Sequence, residues 1–139
     1  MMGSGACPFC RRIAAGEVVA GNAMAAEFPD AFPLSPGHTL VVPRRHEPDF
    51  FALNPDEQGE MVALATELHR RLREELGFAG INLGVNVGEV AGQTIGHAHL
   101  HLVPRYPGDV PDPAGGIRWL FPEKARYPAS DPPGPEAER

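Results

Sequence analysis

Apolar positions along this chain change their period several times, and each change marks an element. Met61, Leu64, Ala65, Leu68, Leu72 and Leu76 recur at spacings of three and four, which places one apolar stripe along a helix. Asn54 is positioned to cap that helix, Pro55 fits its first turn, and Asp56 and Glu57 suit the positive end of its dipole. Gly77 closes it. His69 falls off the stripe and is expected at the surface. Upstream, "CPFCRRIAAGE" reads as a turn and a short helix that ends at Gly16. Residues 18–28 read as two short strands around a Gly21-Asn22 turn. A proline-punctuated loop runs from Phe28 to His38. Leu40 to Val42 is a buried strand that Pro43 stops.

Downstream of the helix, "INLGVNVG" (Ile81 to Gly88) reads as a strand. A glycine-bearing turn, "EVAGQTIG", leads to a second strand from His97 to Val103, and the two form an antiparallel pair. After Arg105 the chain turns irregular, and "IRWLFP" reads as one more short strand. Residues 128–139, "PASDPPGPEAER", are Pro-rich and polar, and are expected to be disordered or to lie loosely on the surface. The prediction is one α+β domain over residues 1–127, with an antiparallel sheet, one long helix and a short N-terminal helix.

Composition narrows the function. At 139 residues the chain is long enough to bury a core without disulfides, and its two cysteines, Cys7 and Cys10, do not make a disulfide scaffold. The net charge of -6 argues against a non-specific binder of nucleic acid or anionic membrane, since both need a basic surface. It leaves room for a small phosphorylated ligand in a locally positive pocket. There is no apolar run near the membrane-spanning length and no apolar signal core at the start, so a cytoplasmic location is expected.

The candidate chemistry lies in "GHAHLHLVPR". Half of the six histidines occupy His97, His99 and His101. On a strand they share one face, while Ala98, Leu100 and Leu102 share the other, which is the core face. A strand merely decorated with polar residues does not readily yield three imidazoles in register. One metal held by all three is awkward, because the first and third are about 13 Å apart along a straight strand. A divided row fits better. Cys7 and Cys10 have a spacing common at zinc sites, although a CxxC alone is ambiguous between zinc, redox chemistry and accident. His46 and His97 are the leading candidates to complete a closed, structural Cys2His2 site. His99 and His101 are then left for chemistry, since a neutral imidazole is a competent nucleophile. The "NVGEVAGQT" segment just before them offers Asn86, Gln93, Thr94 and glycine-turn amides as neutral donors to a phosphate.

"HAHLHLV", together with "SPGHTLVVPRRH", "NVGEVAGQTIGHAHLHLVPR" and the "CPFC" start, resembles the histidine-triad (HIT) family of nucleotide hydrolases and transferases, in its zinc-bearing bacterial type. The resemblance runs from about Cys7 to Tyr127. It implies a homodimer and a purine-nucleotide substrate, with neither nucleic acid nor membrane as partner. It implies that His99 attacks the α-phosphorus of a dinucleoside polyphosphate or nucleoside phosphoramidate, forming a nucleotidyl-histidine that water hydrolyses. His101 is matched to a phosphate contact, which in protonated form would balance charge there. His38 is matched to a further active-site histidine, and Asp30 to a residue that bonds the ribose hydroxyls. Asn86, Gln93 and Thr94 match phosphate-contacting positions. Zinc falls to Cys7, Cys10, His46 and His97, and no catalytic metal is expected. Many bacterial relatives with the "GDVPDP" segment carry arginine where this chain has Ala114. Two other readings stand beside this one: a nucleotide-binding or scaffolding protein with little turnover, and a metalloenzyme with zinc on the three triad histidines.

Overall fold

The structure, a computed structural model, describes residues 4–127; the Pro-rich stretch 128–139 lies outside the described residues. The chain divides between Tyr106 and Pro107 into two compact units, where the sequence predicts one domain through residue 127. Pro107, Pro111 and Pro113 cluster just after the break, and proline cannot donate to a sheet ladder.

The first unit is an α+β fold. Its strands are β1 (Ala20–Gly21), β2 (Ala25–Pro29), β3 (Thr39–Pro43), β4 (Gly80–Val85) and β5 (Leu100–Arg105). They form one sheet in the order β1-β2-β3-β5-β4, and every neighbouring pair is antiparallel. Helix α1 (Pro8–Ala14) precedes the sheet, and α2 (Pro55–Leu76) joins β3 to β4. Alternation along the strands sends side chains to two cores. One holds Ala25, Val41, Leu100 and Leu102 against Met61, Leu64, Ala65 and Leu68 of α2. The other holds Ala26, Phe28, Leu40 and Val42 against Cys7 and Phe9 of the N-terminal segment. The sheet is therefore covered on both faces, and the short N-terminal helix is part of the core.

Helix α2 starts as its sequence predicts. The Asn54 side chain accepts from the Glu57 amide, and the Glu57 carboxylate accepts from the Asn54 amide, which closes a capping box. Gly77 ends the helix in the left-handed conformation. The apolar stripe is buried through Leu68 and fades in the last turns: Leu72 is half-buried and Leu76 exposed. His69 departs from expectation. It is half-buried, with its ring 5.4 Å from that of Phe78, so the chain that follows the helix covers it.

Two polar features sit on the α2 side. Glu27 is buried in β2, and its Oε2 accepts from Arg71 at 2.6 Å, while Oε1 has no hydrogen-bond partner among the described residues. Gly37, with φ +90°, brings the chain into β3. A Cβ there would lie 2.7 Å from Leu76 Cδ1 and 3.1 Å from Pro104 Cγ, so both conformation and space call for glycine.

The triad segment enters its strand later than predicted. β5 begins at Leu100, and His97, Ala98 and His99 lie outside the ladder. The cause is local. The Pro43 carbonyl accepts from the His97 ring, and the Ala98 amide bonds to Glu47 O, beyond the end of β3. The alternation survives all the same, with Ala98, Leu100 and Leu102 in the α2 core.

In the second unit the predicted strand at "IRWLFP" is instead two 3-10 segments, Gly116–Leu120 and Pro122–Lys124. Gly115 and Gly116 both take positive φ, and that breaks an extended run. The side chains then bond back to nearby carbonyls: Trp119 Nε1 to Ala114 O, Arg118 to Lys124 O and Ala125 O. Among the described residues no helix is long and apolar enough to cross a membrane.

Candidate functional site

Both halves of the histidine row are built by backbone carbonyls that fix which ring nitrogen carries the proton. Pro43 O lies 2.8 Å from His97 Nε2. A carbonyl only accepts, so Nε2 carries the hydrogen and Nδ1 keeps its lone pair. That lone pair points at sulfur, with His97 Nδ1 3.5 Å from the Sγ of both Cys7 and Cys10. His46 Nδ1 lies 3.3 Å from Cys10 Sγ and 3.3 Å from His97 Nδ1. Metal bonds of about 2.0–2.3 Å put tetrahedral ligands about 3.3–3.8 Å apart, so the Cys7-Cys10-His46-His97 set fits a closed four-ligand metal centre. The turn at the start of α1 supplies both thiols; the Cys10 amide donates to Cys7 Sγ. Burial, with the neighbouring Cys7 thiol, pushes Cys10 up to about 11.

His99 is set the other way round. Its Nδ1 donates to the His97 carbonyl at 2.8 Å, which leaves Nε2 as the atom with a free lone pair. Burial lowers its pKa below 6.5, so the neutral, nucleophilic form prevails at neutral pH. Phe9, between the two cysteines, packs edge-on against both His97 and His99, with ring centroids 5.8 and 5.1 Å away. The four-residue set and His99 thus share one aromatic wall.

His101 and His38 form a hydrogen-bonded pair. The Leu34 amide donates to His38 Nδ1 at 3.0 Å, so His38 carries its proton on Nε2 and passes it toward His101 Nδ1, also at 3.0 Å. His101 is left with its hydrogen on Nε2. Burial, then the neighbouring His99 and His38, lower His101 to about 4, and burial lowers His38 as well. Both shifts favour the neutral form of the pair in the free protein, against the protonated His101 expected from the sequence. Asp30 stands beside the pair, its Oδ2 3.5 Å from His38 Nε2 and 3.9 Å from His101 Nδ1. These three residues also lie close enough to hold a metal. The Leu34 amide decides against it: a ring that accepts at Nδ1 and binds metal at Nε2 would have to give up both protons.

The Gly88–Gln93 segment is pinned closed. Gly88 takes φ 93° and ψ 153°, a region reserved for glycine. Its carbonyl accepts from the Ala91 and Gln93 amides. Gln93 is buried, and its side chain is fully engaged: Oε1 accepts from Gly88 N, and Nε2 donates to Pro48 O and Ile95 O. Among the expected phosphate contacts Gln93 thus stands as a brace inside the loop. Asn86 is half-buried beside Gly92, and Thr94 is exposed. Sequence reasoning missed Phe9, Leu34 and Pro43, each of which acts through packing or backbone and carries no signal in residue type.

A separate cleft of about 690 Å³ opens on the α2 side. Its walls include Glu27, Asp30, His38, Leu68, Arg71 and Leu72, so Asp30 and His38 are common to it and to the His101 pair.

Comparison with known proteins gives one family. A sequence model of the HIT domain matches residues 14–108. An uncharacterized HIT-like protein of Mycoplasma genitalium is 38% identical over 104 residues, 72% of this chain and 73% of that protein. The asymmetrical bis(5'-nucleosyl)-tetraphosphatase of Schizosaccharomyces pombe is 31% identical over 86 residues, 62% of this chain and 47% of that protein. The crystal structure of a Zn-bound histidine triad family protein from Mycobacterium smegmatis superposes with a TM-score of 0.69 at 35% identity, covering 79% of this chain and 86% of that one.

Proposed function

The chain belongs to the HIT domain family, and from that premise we propose that it is a nucleotide hydrolase or nucleotidyltransferase that works through His99. The observation that carries the reading is the 2.8 Å bond from His99 Nδ1 to His97 O, which fixes Nε2 as the attacking atom. The Nε2–P bond forms at the α-phosphorus as the bond to the leaving group breaks. Water then adds to phosphorus, the Nε2–P bond breaks, and one proton is released with the nucleotide. His101 Nε2–H and the Glu89 and Val90 amides, the two of the Gly88–Gly92 segment not engaged within the loop, supply neutral donors to the nonbridging oxygens. Asp30 and His38, beside His101, are assigned to ribose and phosphate in this reading. Asn86 and Thr94 are kept as outer phosphate contacts.

The leaving group decides the proton balance. A polyphosphate leaves as a stable anion and needs no proton. An amine leaving from a phosphoramidate must gain one, and a neutral His101 is a weak source. Dinucleoside polyphosphates are therefore the favoured class, in keeping with the tetraphosphatase among the relatives. Cys7, Cys10, His46 and His97 would hold zinc, which supplies a structural tether between the N-terminal turn and the sheet. We propose a cytoplasmic homodimer, for which the outer edge of β4, unpaired among the described residues, offers a seam. The test is a panel of diadenosine polyphosphate, with and without phosphate, and adenosine phosphoramidate, with product identification. His99→Ala should abolish turnover of all of them while keeping the fold; full activity in that variant would sink the mechanism.

A further inference from the structure

The buried amide of Gln93 joins two parts of the site. On one side it pins the phosphate-facing loop, through Gly88 N to Oε1 at 2.8 Å. On the other it donates at 2.8 Å to Pro48 O, two residues beyond the metal-set residue His46. The same short segment is fixed to the triad by the Ala98 amide, which donates to Glu47 O at 2.7 Å. The triad end carries His97, a second member of the metal set, whose carbonyl orients His99. So His46 leads through Pro48 and Gln93 to the loop, and His97 leads through one carbonyl to the nucleophile.

We infer that Gln93 is a positioning residue: it latches the Gly88–Gly92 loop to the metal-bearing segment, so that metal occupancy and nucleotide affinity are coupled. This rests on the nucleotide-binding reading of the site given above. The physical requirement is that both ligands favour one arrangement of the latch. A metal ion that draws His46 and His97 together sets Pro48 O, and Pro48 O sets Gln93. Gln93 in turn holds Gly88 N, and with it the way the Glu89 and Val90 amides that follow face. Linkage is reciprocal, so a bound nucleotide must hold the metal more tightly by the same factor by which metal strengthens nucleotide binding.

The experiment uses the zinc-loaded protein and AMP as the nucleotide probe. Zinc is withdrawn by a competing chelator, with and without saturating AMP, and AMP affinity is measured on the loaded protein by calorimetry. In the wild type AMP should raise the chelator concentration at half-removal by about tenfold, within the usual range of coupling between sites. In Gln93→Met, which cannot make any of the three side-chain bonds, that factor should fall toward one. Gln93→Glu keeps an acceptor for Gly88 N but presents no N–H to Pro48 O, and it should lose the coupling as well. It serves if the methionine variant fails to fold. An equal shift in wild type and variants, or no shift in the wild type, overturns the latch while leaving nucleotide binding intact. Failure of AMP to bind the loaded wild type overturns both this inference and the proposed function.

Discussion

His99 donates from Nδ1 to the carbonyl oxygen of His97 at 2.8 Å, so a residue of the Cys7-Cys10-His46-His97 set holds the proposed nucleophile by its backbone. The pH dependence follows. Burial depresses the His99 pKa below 6.5, and only its neutral form can attack. As pH rises through the depressed pKa, kcat/KM should rise, with its midpoint below the 6.5 of a free imidazole. A pH–rate profile on a diadenosine polyphosphate checks this. A midpoint at or above 6.5 would mean that the imidazole is not desolvated as the packing against Phe9 requires.

His38 should act through His101. Its Nε2–H is the donor that keeps His101 Nδ1 unprotonated, and it is one of the neighbours that lower His101 to about 4. In His38→Ala the His101 pKa should move up, and the ring should lose its fixed tautomer. A fall in kcat/KM of about tenfold to hundredfold is expected, the scale of one positioned hydrogen bond at about 1.4–2.7 kcal/mol. Nitrogen-15 spectra of the imidazoles report the tautomer directly, and a wild-type His101 spectrum in the variant would show that His38 does not set it.

Much of this was legible in the sequence because it is written in residue type and spacing. The stripe from Met61 to Leu68, the Asn54 cap and the Gly77 stop all appear where they were read. The meeting of Cys7, Cys10, His46 and His97 also follows from ligand chemistry. What stayed hidden depends on backbone groups, which every residue carries alike. The Pro43 and His97 carbonyls and the Leu34 amide choose the tautomers, yet nothing in their side chains announces it. The displaced start of β5 has the same origin, since two bonds to Pro43 O and Glu47 O pull the triad off the ladder. The strand expected at "IRWLFP" failed because Gly115 and Gly116 bend a run that otherwise has strand composition.

Glu27 and Arg71 make a different kind of prediction, about stability. Glu27 is 1% exposed, and Arg71 is the one hydrogen-bond partner of its carboxylate among the described residues. Arg71→Met should therefore leave a buried carboxylate unpaired and cost about 3 kcal/mol or more in urea unfolding. Arg73→Met, one exposed position further along the same helix, should stay within about 0.5 kcal/mol. Equal costs for the two variants would show that the Glu27 pair contributes nothing special.

The metal set predicts a contrast between two histidines of one row. His97 Nδ1 faces the thiols and His101 Nδ1 faces His38, so His97→Ala and Cys7→Ser should lose bound zinc while His101→Ala keeps one ion per chain. Elemental analysis of the purified variants reads this directly. A zinc ion held by the folded site and not by the unfolded chain would stabilise the fold, so chelation should also destabilise the wild type. With free zinc about 100-fold above its dissociation constant the loss is about 2.7 kcal/mol, visible as a lower unfolding midpoint. His101→Ala should show the same chelation-dependent drop and no turnover. If instead its zinc were lost and that of Cys7→Ser kept, the triad itself would be the metal centre, and the division of the row into holder and attacker would be wrong.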